Sequence, residues 1–193
     1  MKILLDDTEL EDDFTGLNKK EILQKIQGKL EDSIIDKVYL DEVETNLDYF
    51  MSNDMDVSEF DRIHFISKDT DSLIEETLEE ASNYLPKLKD GVKDIAQLLE
   101  EKKTARAGNK FLLSLEGFEW YTGVLDNIQS LISDDELENN INEVLEDFNV
   151  IMDEALSNQK EGNQERLADI MSGEIKNMVE RFINLNELLL KKC

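Results

Sequence analysis

The feature that most constrains the fold is a run of apolar residues that recurs every three or four positions from residue 74 to residue 99. The run consists of Ile74, Leu78, Ala81, Leu85, Leu88, Val92, Ile95 and Leu99. An unbroken heptad pattern of this kind is typical of a helix that packs lengthwise against other helices. Pro86 lies within the run. Because the register continues on both sides of it, we predict one helix with a kink at the proline rather than two helices.

Two further segments repeat the same pattern, one over residues 137–155 and one over residues 171–189. Ser133 and Glu136 have the spacing of a capping box, which favours a helix start there. Lys103–Thr104 and Gly108–Asn109 are alternative places for the turn after the first helix. We therefore predict an antiparallel four-helix bundle over residues 69–193, with helices at about 69–103, 104–132, 134–157 and 163–191.

The second of these helices is predicted to be central. Residues 111–132 contain four of the thirteen aromatic residues, including the only Trp. Apolar side chains cover most of the helix circumference, which indicates contact on several sides. Gly117 and Gly123 each cost about 1 kcal/mol relative to Ala within a helix. We expect them to make room for a neighbouring backbone, or for Trp120 and Tyr121.

The first 68 residues have strand-like patterns instead. Residues 1–10 suggest two short strands, Asn18 and Glu21 predict a capped helix ending near Ser33, and strands are predicted at Ile34–Glu44 and Arg62–Ser67. The order strand, strand, helix, strand, strand is similar to that of the β-grasp (ubiquitin-like) fold. The similarity is one of element order only and implies no function. The predicted class is α+β, predominantly α, with a β-grasp-like domain at 1–68.

The formal net charge of −25 restricts the partners. Nucleic acid backbones and anionic lipid surfaces attract Lys and Arg, so we expect neither nucleic acid nor membrane as a partner. The single Cys, Cys193, cannot form an internal disulfide, and the start MKILLDDTELEDD is too acidic for a signal peptide. A reducing, cytoplasmic location is the expectation.

Residues that carry chemistry are scarce. His64 is the only His, and no nucleophile motif or phosphate-binding loop accompanies it. One His also rules out the usual di-iron bundle. The acidic segment Asn53–Glu59 fails as a calcium loop, because counting from Asp54 the sixth position is Glu59 and the twelfth is Phe65. We therefore expect no catalytic residue, no metal and no cofactor.

The charge distribution suggests a binding role. No Lys or Arg occurs between Lys110 and Lys160, whereas twelve acidic residues do. A helix whose charged side chains are all negative cannot form ion pairs within itself, and this favours a basic or amphipathic-helical protein partner. The candidate partner-binding residues are Glu116, Glu119, Trp120, Tyr121 and Asp126.

We thus predict a non-enzymatic adaptor or an assembly or secretion chaperone, for which the heptad patterns would also permit a homodimer. The alternatives are an enzyme or ligand-binding protein with a carboxylate-lined pocket near Trp120, an acidic mimic of nucleic acid, and an acidic surface that only maintains solubility.

Overall fold

Five short strands form one sheet at the N-terminal end, and long helices make up most of the remaining chain. The computed structural model describes residues 1–52, 55–131 and 134–192. The chain divides into two units, residues 1–73 and 74–193. The α+β, predominantly α class expected from the sequence is confirmed. The division into domains at 1–68 and 69–193 stays a prediction.

The sheet contains β1 (Lys2–Leu5), β2 (Thr8–Glu9), β3 (Ser33–Leu40), β4 (Val43–Thr45) and β5 (Arg62–Asp69). Their order is β2-β1-β5-β3-β4, and β1 is parallel to β5 while the other neighbours are antiparallel. Helix α1 (Lys19–Gln27) and helix α2 (Leu47–Ser52) complete this unit, with a 3-10 turn at Val57–Glu59. Ile22 and Ile26 of α1 share one hydrophobic cluster with the buried sheet residues Ile3, Val38, Leu40, Ile63 and Phe65.

The predicted strand Ile34–Glu44 is two strands, so the sheet has five strands and not four. The chain reverses at Asp41, which has a positive φ of 55°. The Asp41 carboxylate accepts hydrogen bonds from the N–H groups of Asp61 and Arg62. The turn is therefore fixed to the start of β5, which allows a residue other than Gly to adopt this conformation. The opposite end of β5 is held similarly by Asp6, whose carboxylate accepts from Ser67.

The capping box at Asn18 and Glu21 is confirmed, since each residue's side chain accepts a hydrogen bond from the backbone N–H of the other. The helix ends earlier than predicted, at Gln27 instead of near Ser33. Gly28 follows as the C-cap, and its N–H donates to the Gln24 carbonyl. Ser33 is the first residue of β3.

Helix α3 (Thr70–Glu100) is continuous through Pro86, as predicted. Lys102, with a φ of 58°, turns the chain into α4 (Thr104–Leu131), so the turn lies near Lys103–Thr104, one of the two predicted places. Gly108 and Asn109 are inside α4. Ile132, predicted as the last residue of this helix, lies outside the described residues.

Helix α5 (Asp135–Glu161) begins after Asp134, whose side chain accepts from the N–H groups of Glu136 and Leu137. Ser133, the predicted cap, lies outside the described residues. The helix extends four residues beyond the predicted end at 157, until Gly162 adopts a left-handed conformation with a φ of 73°. Asn163 caps the helix that follows, as predicted.

The last predicted helix contains an irregularity. Helix α6 (Gln164–Ile170) and helix α7 (Lys176–Lys192) are joined by a π-helical turn at Met171–Ile175. Both end residues of this turn are fully buried. The buried residues of α3, α4, α5, α6, the π-helical turn and α7 form a single hydrophobic cluster, so the helical segments share one core.

Candidate partner-binding site on helix α4

The five candidate residues on α4 separate into three environments. Glu116, Glu119 and Asp126 are exposed, and Trp120 is half-buried. Tyr121 is fully buried. A partner can therefore reach four of the five residues, and the Tyr121 ring belongs to the core rather than to an exposed surface.

Tyr121 is part of a buried polar cluster that joins three helices. Its hydroxyl lies 3.1 Å from the Phe182 carbonyl oxygen, to which it donates, and 3.4 Å from Asn186 Oδ1. Asn186 Nδ2 donates to Leu78 O and to Ser82 Oγ, both at 2.9 Å. Burial raises the pKa of the Tyr121 phenol well above its usual range. A neutral, hydrogen-bonded phenol in this position fixes the register of α4 against α3 and α7.

Beside this core, the half-buried rings of Tyr84 and Trp120 meet at the surface. Tyr84 projects from α3 and Trp120 from α4, and their rings make an edge-to-face contact with centroids 5.1 Å apart. Gly117 makes this arrangement feasible. A Cβ atom on Gly117 would stand 2.1 Å from the Tyr84 hydroxyl oxygen. Gly117 was predicted to make room for a neighbouring backbone or for Trp120 and Tyr121, but the side chain it accommodates is the phenol ring of Tyr84. The same prediction was wrong for Gly123, where a Cβ atom would meet nothing within 4 Å.

The two rings form the floor of a shallow surface depression of about 280 Å³. Its other lining residues are Glu80, Leu113, Glu116 and Gly117. We call this site the α3–α4 depression. Glu80 and Glu116 are exposed, and neither carboxylate has a hydrogen-bond or ion-pair partner among the described residues. The depression therefore combines aromatic surface with two negative charges that no cation of the described ranges neutralises.

The acidic residues of α5 differ from those of α4. Arg166, Arg181 and Lys192, which follow α5 in the sequence, pair with five carboxylates of the segment without basic residues: Asp134, Glu136, Glu143, Asp147 and Glu154. Part of the negative charge that suggested a partner is thus balanced within the molecule.

The remaining seven acidic residues of this segment are Glu116, Glu119, Asp126, Asp135, Glu138, Glu146 and Asp153. Within the described ranges, the side chains of these seven have no hydrogen-bond or ion-pair partner. Three of them belong to α4, and Glu116 also lines the α3–α4 depression. The unbalanced charge on α4 therefore lies beside exposed aromatic surface.

His64 has a structural environment. Its Nε2 is hydrogen-bonded to the backbone carbonyl of Asp6, and its ring lies 5.9 Å from that of Tyr39. Across residues 1–52, 55–131 and 134–192, no group of three or more His, Cys, Asp or Glu side chains is arranged to hold a metal ion. Asn53 and Asp54 of the rejected calcium loop lie outside these ranges, as does Cys193.

None of the helices in the described ranges has the length and apolar composition needed to cross a membrane.

Comparison with known proteins identifies the helical part of the chain. No curated protein and no solved structure matches the sequence. The family described as a domain of unknown function, DUF8042, matches residues 76–185, which is more than half of the chain. The match includes the whole of α4 and every residue that lines the α3–α4 depression. The protein therefore belongs to the DUF8042 family.

Proposed function

We propose that this protein is a non-enzymatic interaction module that binds a basic or amphipathic-helical segment of a protein partner through the exposed face of α4. An adaptor or an assembly or secretion chaperone would use such a face. The observation that carries the proposal is the difference between α4 and α5. Among the residues that the structure describes, Glu116, Glu119 and Asp126 have no ion-pair partner, whereas five acidic residues of the neighbouring helix or its cap are paired internally.

The proposed architecture is a β-grasp domain followed by an antiparallel four-helix bundle. The β-grasp assignment is supported by the central parallel pair β1–β5 and by the clustering of α1 with one face of the sheet. The bundle is supported by four long helical segments joined by short turns around one core. In this architecture α4 packs on more than one neighbour and still presents one face to solvent.

The physical state of the α4 carboxylates supports the proposal that the partner is cationic. An unpaired carboxylate on a highly acidic protein gains Coulomb energy from an incoming Lys or Arg without breaking an internal ion pair. A paired carboxylate, such as Asp147 with Arg181, must first give up its internal partner. Docking of a basic segment on the α4 face therefore requires less free energy for breaking internal ion pairs than docking on α5.

An enzymatic role near Trp120 has less support. General acid–base catalysis needs a carboxylate whose pKa is shifted by burial or by close neighbours. Glu80 and Glu116 are exposed, and the depression of about 280 Å³ is smaller than the usual pocket for a small-molecule substrate. A surface of this kind suits a side chain of a larger partner better than a free substrate.

The test is the binding of a designed peptide to the whole chain. The peptide is a basic amphipathic helix built from Leu and Lys, and the reference peptide has Gln in place of each Lys. We expect the basic peptide to bind and the reference peptide not to bind, in isothermal titration calorimetry at low salt. The affinity should fall as salt is raised, because exposed charges are screened.

Two variants with the same change of charge locate the binding surface. The variant E116Q/E119Q/D126N removes three unpaired carboxylates from α4, and we expect it to weaken binding about tenfold, at a few tenths to 1 kcal/mol for each exposed charge. The control E165Q/D169N/E187Q removes two Glu and one Asp from α6 and α7, and should weaken binding by less than about threefold. Equal losses in the two variants, or equal binding of the two peptides, would refute the proposal.

A further inference from the structure

We infer that the α3–α4 depression is a slot for one cationic side chain, the Lys or Arg that anchors the partner. The inference rests on the proposed function and names the chemical group that this site recognises. It concerns Glu80, Tyr84 and Trp120 in addition to the carboxylates of α4.

The aromatic floor provides one half of the recognition. A Lys ammonium or Arg guanidinium is attracted to the face of a Trp or Tyr ring, and Trp is the strongest of the aromatic residues in this respect. Trp120 and Tyr84 are each only half-buried and line the same depression. The two rings already pack edge to face, with centroids 5.1 Å apart. This contact restricts both side chains without a partner, so less of their conformational freedom is lost on binding.

The two carboxylates provide the other half. Glu80 comes from α3 and Glu116 from α4, so a cation in the depression meets negative charge from two helices. Neither carboxylate has a partner among the described residues. Charge and ring attraction act on the same cation, whereas a neutral or anionic side chain would gain neither.

The polar atoms of the floor are also available. In the described parts of the chain, neither the Tyr84 hydroxyl nor the Trp120 indole N–H has a hydrogen-bond partner. The hydroxyl oxygen can accept a hydrogen bond from an ammonium or guanidinium group. Leu113, which is 63% exposed, offers apolar surface to the methylene groups of a Lys or Arg side chain.

The size of the site favours a single side chain. A volume of about 280 Å³ can hold the end of one long side chain but not a helix. Gly117 is essential to this shape, since a Cβ atom there would displace the Tyr84 hydroxyl. The partner helix or strand would thus lie over α4, with one Lys or Arg side chain inserted between Glu80 and Glu116.

The experiment uses Trp120 as an internal probe, because it is the only Trp in the chain. The whole protein is titrated with an octa-arginine peptide, and with the same peptide in which citrulline, a neutral analogue of nearly the same shape, replaces every arginine. We expect a saturable change in tryptophan emission with octa-arginine and none with the citrulline peptide. An octa-lysine peptide should also change the emission, since the inferred ligand is the cationic group.

Two paired variants isolate the slot. E80Q/E116Q removes both carboxylates of the depression, and we expect the dissociation constant for octa-arginine to rise about tenfold. E138Q/E146Q removes two unpaired carboxylates of α5, and we expect a rise of no more than about twofold. Binding is measured by calorimetry as well as by emission, so that a weaker optical signal is not mistaken for weaker affinity.

The outcomes separate this inference from the proposed function. If octa-arginine does not bind at all, both are refuted. If it binds with the expected salt dependence, but the tryptophan emission is unchanged and the two variants weaken binding equally, the slot is refuted while the acidic docking face stands.

Discussion

A double-mutant cycle between Gly117 and Tyr84 tests the construction of the α3–α4 depression. In the Gly117→Ala variant the new Cβ would lie 2.1 Å from the Tyr84 hydroxyl oxygen and 3.0 Å from Tyr84 Cζ. The phenol ring must therefore move away and lose part of its contact with Trp120. Overpacking of this kind costs about 1–3 kcal/mol, and replacing Gly by Ala within a helix gains about 1 kcal/mol. We expect Gly117→Ala to lower the free energy of unfolding by about 1 kcal/mol.

In the Tyr84→Ala background the phenol ring is absent, and of the three atoms nearest to the new Cβ only Leu88 Cδ1, at 3.2 Å, remains. There Gly117→Ala should raise the free energy of unfolding by nearly 1 kcal/mol, through helix propensity alone. The coupling energy of the cycle is thus about 2 kcal/mol. Gly123 is the control, because a Cβ there would meet nothing within 4 Å. Gly123→Ala should stabilise by about 1 kcal/mol in both backgrounds.

Urea denaturation, followed by far-ultraviolet circular dichroism and by Trp120 emission, measures the effect of Gly117→Ala and of Gly123→Ala on the free energy of unfolding in each of the two backgrounds. The emission reports on the helical unit, which contains the only Trp. A Gly117→Ala substitution that has the same effect with and without Tyr84 would show that the phenol ring does not lie against Gly117, and would remove the structural basis of the depression.

Three further predictions concern the core, the α5 cap and the sheet. Phe182→Ala should lower the free energy of unfolding by about 3–5 kcal/mol in urea denaturation, because the ring is fully buried. The pKa of Asp134 is lowered from its ordinary value of 3.8, first by the hydrogen bond from Lys192 and then by backbone N–H donors. The ionised Asp134 carboxylate therefore stabilises the fold above pH 3.8, and this contribution is lost as the pH falls through the lowered pKa. Asp134→Asn should accordingly be less stable than the wild type near neutral pH, and the difference in urea midpoints should shrink below about pH 4. Asp6→Ala removes two hydrogen bonds to Ser67 and places Ala at a φ of 51°, which should lower the free energy of unfolding of the sheet by about 2 kcal/mol. Amide hydrogen exchange in β1 and β5 should accelerate accordingly, while exchange in α4 stays unchanged.

The helical part was predictable because its pattern is local and repeated. Every member of the heptad run from Ile74 to Leu99 is buried, and the start of α4 at Thr104 lies at one of the two predicted turns. A period close to that of the α-helix fixes which face is buried, whatever the neighbours are. The π-helical turn at Met171–Ile175 does not change the type of residue at buried positions, so the sequence pattern contained no sign of it.

The sheet was harder to predict, because its turns depend on distant hydrogen bonds. Asp41 turns the chain between β3 and β4 without a glycine, and it does so with the help of N–H groups some twenty residues away. Sequence patterns that rely on Gly or Asn at turns therefore missed the hairpin. The capping box at Asn18 was predicted correctly, because its two members, Asn18 and Glu21, are only three residues apart in the sequence.

The candidate site was predicted in part. The absence of Lys and Arg from residues 111–159 identified the acidic surface, but it could not show which carboxylates are paired. That depends on contacts such as Arg181 with Asp147, which are 34 residues apart. A carboxylate-lined pocket near Trp120 was one of the alternatives, but its α3 residues Glu80 and Tyr84 were not named, since Tyr84 reaches Gly117 only when α3 packs on α4. The sequence did contain one indication of this contact, namely an aromatic residue, Tyr84, on the first long helix and a glycine, Gly117, on the next.

Carbodiimide cross-linking tests the central claim most directly, because it joins a carboxylate to an amine that is in contact with it. The whole chain is mixed with the basic Leu–Lys peptide, coupled, digested and mapped by mass spectrometry. We predict that the cross-links concentrate on Glu80, Glu116, Glu119 and Asp126, and that high salt removes them. Cross-links that fall mainly on the paired carboxylates of α5 or on residues 1–73, or that are spread evenly over the acidic surface, would contradict the assignment of α4 as the docking face.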